Sequence, residues 1–306
     1  VIRIEVRKFL VVRDLEAVPF EQDRILLQVY RDYRLSQLFD KQLKAMKKSL
    51  GKEMAKDLWY DFKQMQLEHE RYYYVGTKRW NPGSGIQNAM EYLDRFYAAA
   101  KLTYTSELLN RVQILGEAET SIRLKAETAL MSLDFESSYH RLYHMTFRLI
   151  QGRNTDLFFQ LKKTFAAEYT LLSKDDQFII LSYLLNHTSL EISKGKDEFI
   201  RESFSLIQFG IQDQIFIING IFDPNHFLNA IEVASNLQHF DWAWDFIAQW
   251  SSTLDPDKKD YYVSMGIALI HFKRGAYEAC SGVLAPILPK STLDEQRGML
   301  MHFISL

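Results

Sequence analysis

His140 and His144 stand four residues apart in a stretch with helical periodicity, so both imidazoles could reach a single metal ion from one helix face. No acid lies between them as in the zinc-protease pattern, and no third ligand is specified, which favours a structural or surface role. Asp175 and Asp176 open an expected helix, where carboxylates complement the free N–H groups and the positive dipole end; capping explains them better than metal binding. Cys280 is the only cysteine. A nucleophilic thiol needs a base and an activating environment, which a lone cysteine in a sequence does not supply. Gly83-Ser84-Gly85 lacks the outer spacing and preceding strand of a nucleophile elbow, and neither of the glycine patterns that cradle phosphates occurs. Asn186-His-Thr188 is a formal glycosylation sequon, silent in a cytoplasmic helical protein. These patterns lead us to expect no catalytic residue, no metal site and no cofactor.

Charge offers a different chemistry. The whole chain carries a formal −2, but residues 1–80 hold 17 Lys and Arg against 12 Asp and Glu, while residues 81–306 hold 20 against 27. Much of the excess sits in Lys41, Lys44, Lys47, Lys48 and Lys52, whose spacing sets most of them along one side of a helix, with Arg31 and Arg34 on the preceding one. Such a stripe could meet an acidic partner, nucleic-acid phosphate or anionic lipid, and it could equally be a solvated face. Without an overall basic balance or a nucleic-acid motif, phosphate binding is the secondary reading.

The elements that would carry these residues read as helix after helix. At 306 residues and 47% hydrophobic, the chain can bury a large core as one long stack or as two domains. Gly (13) and Pro (6) are scarce, which argues for long helices joined by short connectors over many tight β-turns. The 21 Phe, 16 Tyr and 5 Trp require that many rings pack between those helices. Apolar positions stepping by three and four predict a helix over 85–113, preceded by the turn cluster Asn81-Pro-Gly-Ser-Gly85 with Ser84 as N-cap. Further helices are expected over 20–34, 35–50, 52–75, 117–132, 135–151, 155–172, 175–193, 197–212, 224–238, 240–254, 258–274, 276–288 and 292–305. Breaks are expected at Gly152-Arg-Asn154, Lys194-Gly-Lys196, Asp223-Pro224, Asp255-Pro-Asp257 and Gly275. The first fifteen residues fit a strand or a helix.

Near the C-terminus, Phe240-Asp-Trp-Ala243-Trp-Asp-Phe-Ile247 is echoed 37 residues later by Tyr277-Glu-Ala-Cys280-Ser-Gly-Val-Leu284. Residues 224–260 and 261–297 thereby resemble the tetratricopeptide-type helix-turn-helix family. Ala243 and Cys280 stand at its small position early in the second helix, Phe240 and Tyr277 at the aromatic three residues before, and Pro256 at the closing proline. Ala268 matches the small residue of the first helix, where the earlier copy has Ile231, and the spacing exceeds the family's usual repeat of about 34. The resemblance covers roughly a quarter of the chain. It implies an α-α superhelix, a right-handed stack of antiparallel helix pairs, whose first helices line a surface for a peptide. Carried onto this sequence, the partner-binding residues are Asn225, Asn229, Glu232 and Asn236 in one first helix and Tyr262, Met265 and Lys273 in the next. The alternative for the polar four is an ordinary solvated helix face, and Trp242, Trp244 and Trp250 read as packing residues before they read as a binding platform.

The expected protein is thus all-α, with an irregular basic helical region over 1–80 and stacked helix pairs over 81–306. It reads as a noncatalytic scaffold for a protein or peptide partner. A helical enzyme or nucleic-acid binder using the basic N-terminal helices is the alternative. The longest apolar run, Phe178-Ile-Ile-Leu-Ser-Tyr-Leu-Leu185, falls short of the roughly 20 residues a membrane span needs, and a lone thiol suits a reducing, cytoplasmic compartment. Starting at Val1 without Met, the sequence reads as a fragment or processed piece.

Overall fold

The computed structural model describes residues 19–53, 55–76, 85–115, 137–152 and 154–288. Among them are twelve α-helices, two single-turn 3-10 helices and one two-stranded hairpin, so the chain is all-α. It divides into two compact units, Val1–Ser173 and Lys174–Leu306. The sequence put its boundary near residue 80, but the helices on either side of that point belong to one unit and pack extensively on each other. Residues 1–18, the 81–84 turn with Ser84, and the helices expected over 117–132 and 292–305 lie outside the described residues.

In the first unit, α1 (Pro19–Asp32) and α2 (Ser36–Leu50) form a hairpin that packs on α3 (Leu58–Gly76). Their core is Leu27, Phe39, Met46, Leu50, Leu67 and Tyr74, with Phe39 and Tyr74 stacked at 3.8 Å between centroids. α3 starts at Leu58, six residues later than the 52 expected, because the Asp57 carboxylate accepts the Tyr60 N–H at 2.9 Å and fixes the first turn there. The 30-residue α4 (Ile86–Leu115) lies along α3 and also meets α5 (Ser138–Gly152). Its buried face carries Leu102 together with the smaller Ala98, Ala99, Thr105 and Ser106, which let neighbouring helices approach closely. α6 (Thr155–Glu168) packs on α5 and is capped by Asn154, whose side chain accepts from the Asp156 N–H at 2.7 Å. The break expected around 152–154 is this cap. A 3-10 turn, Tyr169–Leu171, replaces the end of the longer helix expected there.

The second unit is built of three packed helix pairs. α7 (Lys174–Ile192) packs on α8 (Glu198–Gln212), α9 (Pro224–Asn236) on α10 (Phe240–Trp250), and α11 (Lys259–Lys273) on α12 (Tyr277–Leu284). Each second helix meets the next first helix, α8 on α9 and α10 on α11, and α9 also packs on α11. Ala243, Ala268 and Cys280 are buried. α9 and α11 approach closely at Gly266 of α11, where a Cβ would stand 2.5 Å from Ile231 Cδ1 of α9. Expected breaks at Gly195 and Gly275 are left-handed residues with φ of 82° and 73°.

One element was not expected. β1 (Ile217–Ile218) and β2 (Ile221–Phe222) pair antiparallel through the two-residue turn Asn219-Gly220, both with positive φ. Two ladder pairs suffice to set Phe216 and Phe222 into the core beside Phe227 and Phe246.

Candidate functional site

α9 turns Phe227, Leu228, Ala230, Ile231, Ala234 and Ser235 inward, so the opposite face carries Asn225 and Asn229 exposed with Glu232 and Asn236 half-buried. Asp223 fixes where this face begins: its carboxylate caps α9 by accepting the His226 N–H at 3.0 Å, and Pro224 takes the first helical position, where no donor is needed. On α11, Tyr262 and Lys273 are half-buried. Burial lowers the Lys273 ammonium below its ordinary value, and the nearby Glu232 carboxylate raises it in part. α9 packs on α11, which leaves Glu232 within electrostatic range of Lys273. Met265 departs from expectation. It is fully buried, because its face of α11 meets the core together with Leu269, and it cannot contact a partner.

The three tryptophans pack. Trp242 stacks on Phe246 at 5.2 Å and meets Phe204 edge-on, Trp250 lies 5.5 Å from Phe222, and Trp244 meets His271 at 5.8 Å. Cys280 is buried, which pushes its thiol up and away from the reactive thiolate.

The basic stripe of the first unit is divided. Lys41, Lys44, Lys48 and Lys52 are exposed, whereas Lys47 is half-buried and ion-paired with the buried Glu68, which Arg71 also reaches at 3.2 Å. Arg31 pairs with the buried Glu70, and Gln28 donates to the same carboxylate at 2.8 Å. Lys47 and Arg31 thus neutralise two separate buried carboxylates of α3. Their burial was not legible in the sequence, where Glu68 and Glu70 look like surface residues of a charged helix.

Two polar clusters join residues far apart in sequence. At the first, His140 of α5 faces Ser137 through Nδ1, while Nε2 lies 3.2 Å from the Arg95 carbonyl and 3.3 Å from Asp61 Oδ2. Both His140 nitrogens are thereby engaged, and the His140–His144 pair offers no open two-nitrogen site. Among the described residues, no group of three His, Cys, Asp or Glu could hold a metal ion. At the second, His226 Nδ1 lies 2.7 Å from Asp223 and Nε2 lies 3.3 Å from Ser182 Oγ. That is the order of a hydrolase triad, but the chemistry does not follow. The Ser182 hydroxyl donates to the Phe178 carbonyl at 2.8 Å, within a helix whose N–H groups are already bonded and leave none for an oxyanion. Phe216 stacks on the imidazole at 4.3 Å and Phe178 meets it edge-on, so the cluster locks α7, the hairpin and α9 together. The sequence signal was Asp223-Pro224 opening a helix with His226 three residues on; nothing in it pointed to Ser182.

Compared with protein-family models, with curated proteins and with solved structures, the chain matches none of them. Among the described residues no helix is long and apolar enough to cross a membrane.

Proposed function

We propose that this chain is a noncatalytic interaction protein of tetratricopeptide-like type, whose second unit winds its helix pairs as a right-handed superhelix and receives a peptide on the face of its first helices. The observation that carries this reading is the packing of α9 on α11, the first helices of successive pairs, with Glu232 near enough to Lys273 for its charge to act on the ammonium. Asn225, Asn229 and Asn236 supply neutral donors and acceptors suited to a peptide backbone, and the charged pair supplies selection by sign. Affinity capture from the native cell identifies the partner, and anisotropy on the purified pair measures it. Replacing Asn229, Glu232 and Lys273 together by Ala should weaken binding by about tenfold or more, equivalent to 1.4 kcal/mol, with helicity unchanged. Equal affinity of the triple variant for the captured partner would overturn the assignment of this face.

The four exposed lysines favour a second reading, a nucleic-acid contact on the first unit. It requires an affinity for duplex or single-stranded probes that falls steeply with salt and is lost when Lys41, Lys44 and Lys48 become Glu. Absence of such binding removes it.

A further inference from the structure

A recess of about 710 Å³ opens in the first unit between α1, the linker from α2 to α3 and the start of α3, within the roughly 300–1,000 Å³ of small-molecule sites. Three aromatic rings line it: Phe20 of α1, and Trp59 and Phe62 of α3. Trp59 is the unusual member, 56% exposed where an indole ordinarily finds a surface to cover it. The Trp59 and Phe62 rings stand 6.1 Å apart at 84°, and Phe96 of α4 lies against both, at 6.3 and 5.1 Å. One positive ion can therefore stand within about 6 Å of both centroids, the range over which a ring face attracts a cation.

The charges on the same lining set the sign of the ligand. Glu21, Glu53 and Asp57 oppose a single cation, Lys63. The Lys63 ammonium meets both oxygens of Glu53, at 3.0 and 3.3 Å, and lies 5.8 Å from the centroid of the Phe20 ring. The recess thus already seats one ammonium between a carboxylate and an aromatic face. Arg24 pairs with Glu21 at 2.8 Å. Asp57 has no cation partner among the described residues. One of its oxygens accepts the Tyr60 N–H, and the linker lysines stay outside the lining, Lys56 over the Tyr60 ring at 5.9 Å. Asp57 is therefore the uncompensated charge beside two rings. A primary ammonium is strongly hydrated and brings three N–H donors that each need an acceptor. A quaternary ammonium has no N–H to satisfy, and ring faces with one carboxylate suffice for it.

We propose that this recess binds a small quaternary ammonium ion of the choline type, its charge balanced by Asp57 and its methyl groups set against Trp59 and Phe62. The site lies wholly in the first unit, goes beyond the peptide-binding reading of the second and does not rest on it. Equilibrium dialysis of the whole chain against choline should show saturable binding of one choline per chain. Two probes test the chemistry: the uncharged carbon isostere, with tert-butyl in place of trimethylammonium, and ethanolamine, with a primary ammonium. Each should bind more weakly than choline by about tenfold or more, the first for want of charge and the second for want of acceptors. Asp57→Asn keeps a side chain that can cap α3 and removes only the charge, while Trp59→Ala removes an exposed ring. Both should weaken choline binding by about tenfold or more, with the helical circular dichroism spectrum unchanged. Absence of saturable choline binding overturns the proposal. So does an isostere or ethanolamine that binds as tightly as choline, or choline binding that survives both substitutions.

Discussion

Asp61 Oδ2 lies 3.3 Å from His140 Nε2, with both side chains buried where α3, α4 and α5 meet. The contact joins positions 79 residues apart in sequence and ties two helices through titratable groups. Burial pushes the Asp61 carboxyl up to about 7, against the lowering pull of Arg95 and with a raising push from Asp57. Burial also lowers the His140 imidazole; the Arg95 carbonyl opposes that shift and the Arg95 charge adds to it.

The pH dependence follows from these directions. Asp61 is raised in the folded state, so its contribution to stability is fully present below its ordinary value of 3.8 and is lost as pH rises through about 7. His140 is lowered, so its contribution is present above 6.5 and is lost as pH falls through its folded value. Asp61→Asn removes only the first. Thermal melts should show the variant gaining on the native protein as pH is raised from about 5 to about 8, by roughly 1–4 kcal/mol at 1.36 kcal/mol per pKa unit. A gap that stays constant with pH would show that Asp61 titrates as an ordinary surface acid.

Lys47 matters inside the unit. Replacing it with Met removes one partner of a carboxylate that is only 4% exposed and leaves Arg71 alone to compensate it. The expected loss is about 1–3 kcal/mol in urea unfolding, below the full cost of an orphaned buried charge because Arg71 remains. Lys44→Met, on the exposed side of the same helix, should change stability by less than about 0.5 kcal/mol. Equal effects at the two lysines would contradict the internal pairing.

Gly210 and Gly282 separate packing from backbone effects. A Cβ at Gly210 would fall 2.3 Å from Phe216 Cε2, 2.5 Å from its Cζ and 2.7 Å from Leu181 Cδ2. Gly210→Ala should therefore destabilise the second unit by about 2 kcal/mol, the overpacking cost exceeding the gain of nearly 1 kcal/mol from helix propensity. At Gly282 nothing lies within 4 Å, so Gly282→Ala should be neutral or stabilising by up to about 1 kcal/mol. A stabilising Gly210→Ala would mean that Phe216 does not occupy the position described.

Asp223 closes the series. Burial raises its carboxyl, but hydrogen bonds from the His226 ring and from backbone N–H groups outweigh that and leave it below 3.8. A lowered acid stabilises above its ordinary value and loses that contribution as pH falls through its folded value. Asp223→Ala should cost about 1–2 kcal/mol near neutral pH through the lost cap and ring contact, and the deficit should shrink in acid below about pH 4. A deficit that does not depend on pH would leave only the loss of packing as its cause.

The all-α class and the positions of most helices were legible in the sequence, because apolar spacing of three and four is imposed locally by the helix itself. So were the breaks at Gly195, Gly275 and Asp223-Pro224, where backbone geometry restricts the residue type. The Asn219-Gly220 hairpin carried its own signal between apolar runs and was missed because the helical periodicity on both sides dominated the reading. Asn225, Asn229, Glu232 and Asn236 were placed together by helix spacing alone. That Lys273 approaches Glu232 while Met265 is buried was decided by the packing of α11 on α9, since spacing fixes which residues share a face and leaves open what that face meets. The same holds for Lys47 and Glu68 and for Asp61 and His140. Periodicity shows that a helix has an apolar side, and only tertiary structure decides which of its apolar sides the chain itself covers.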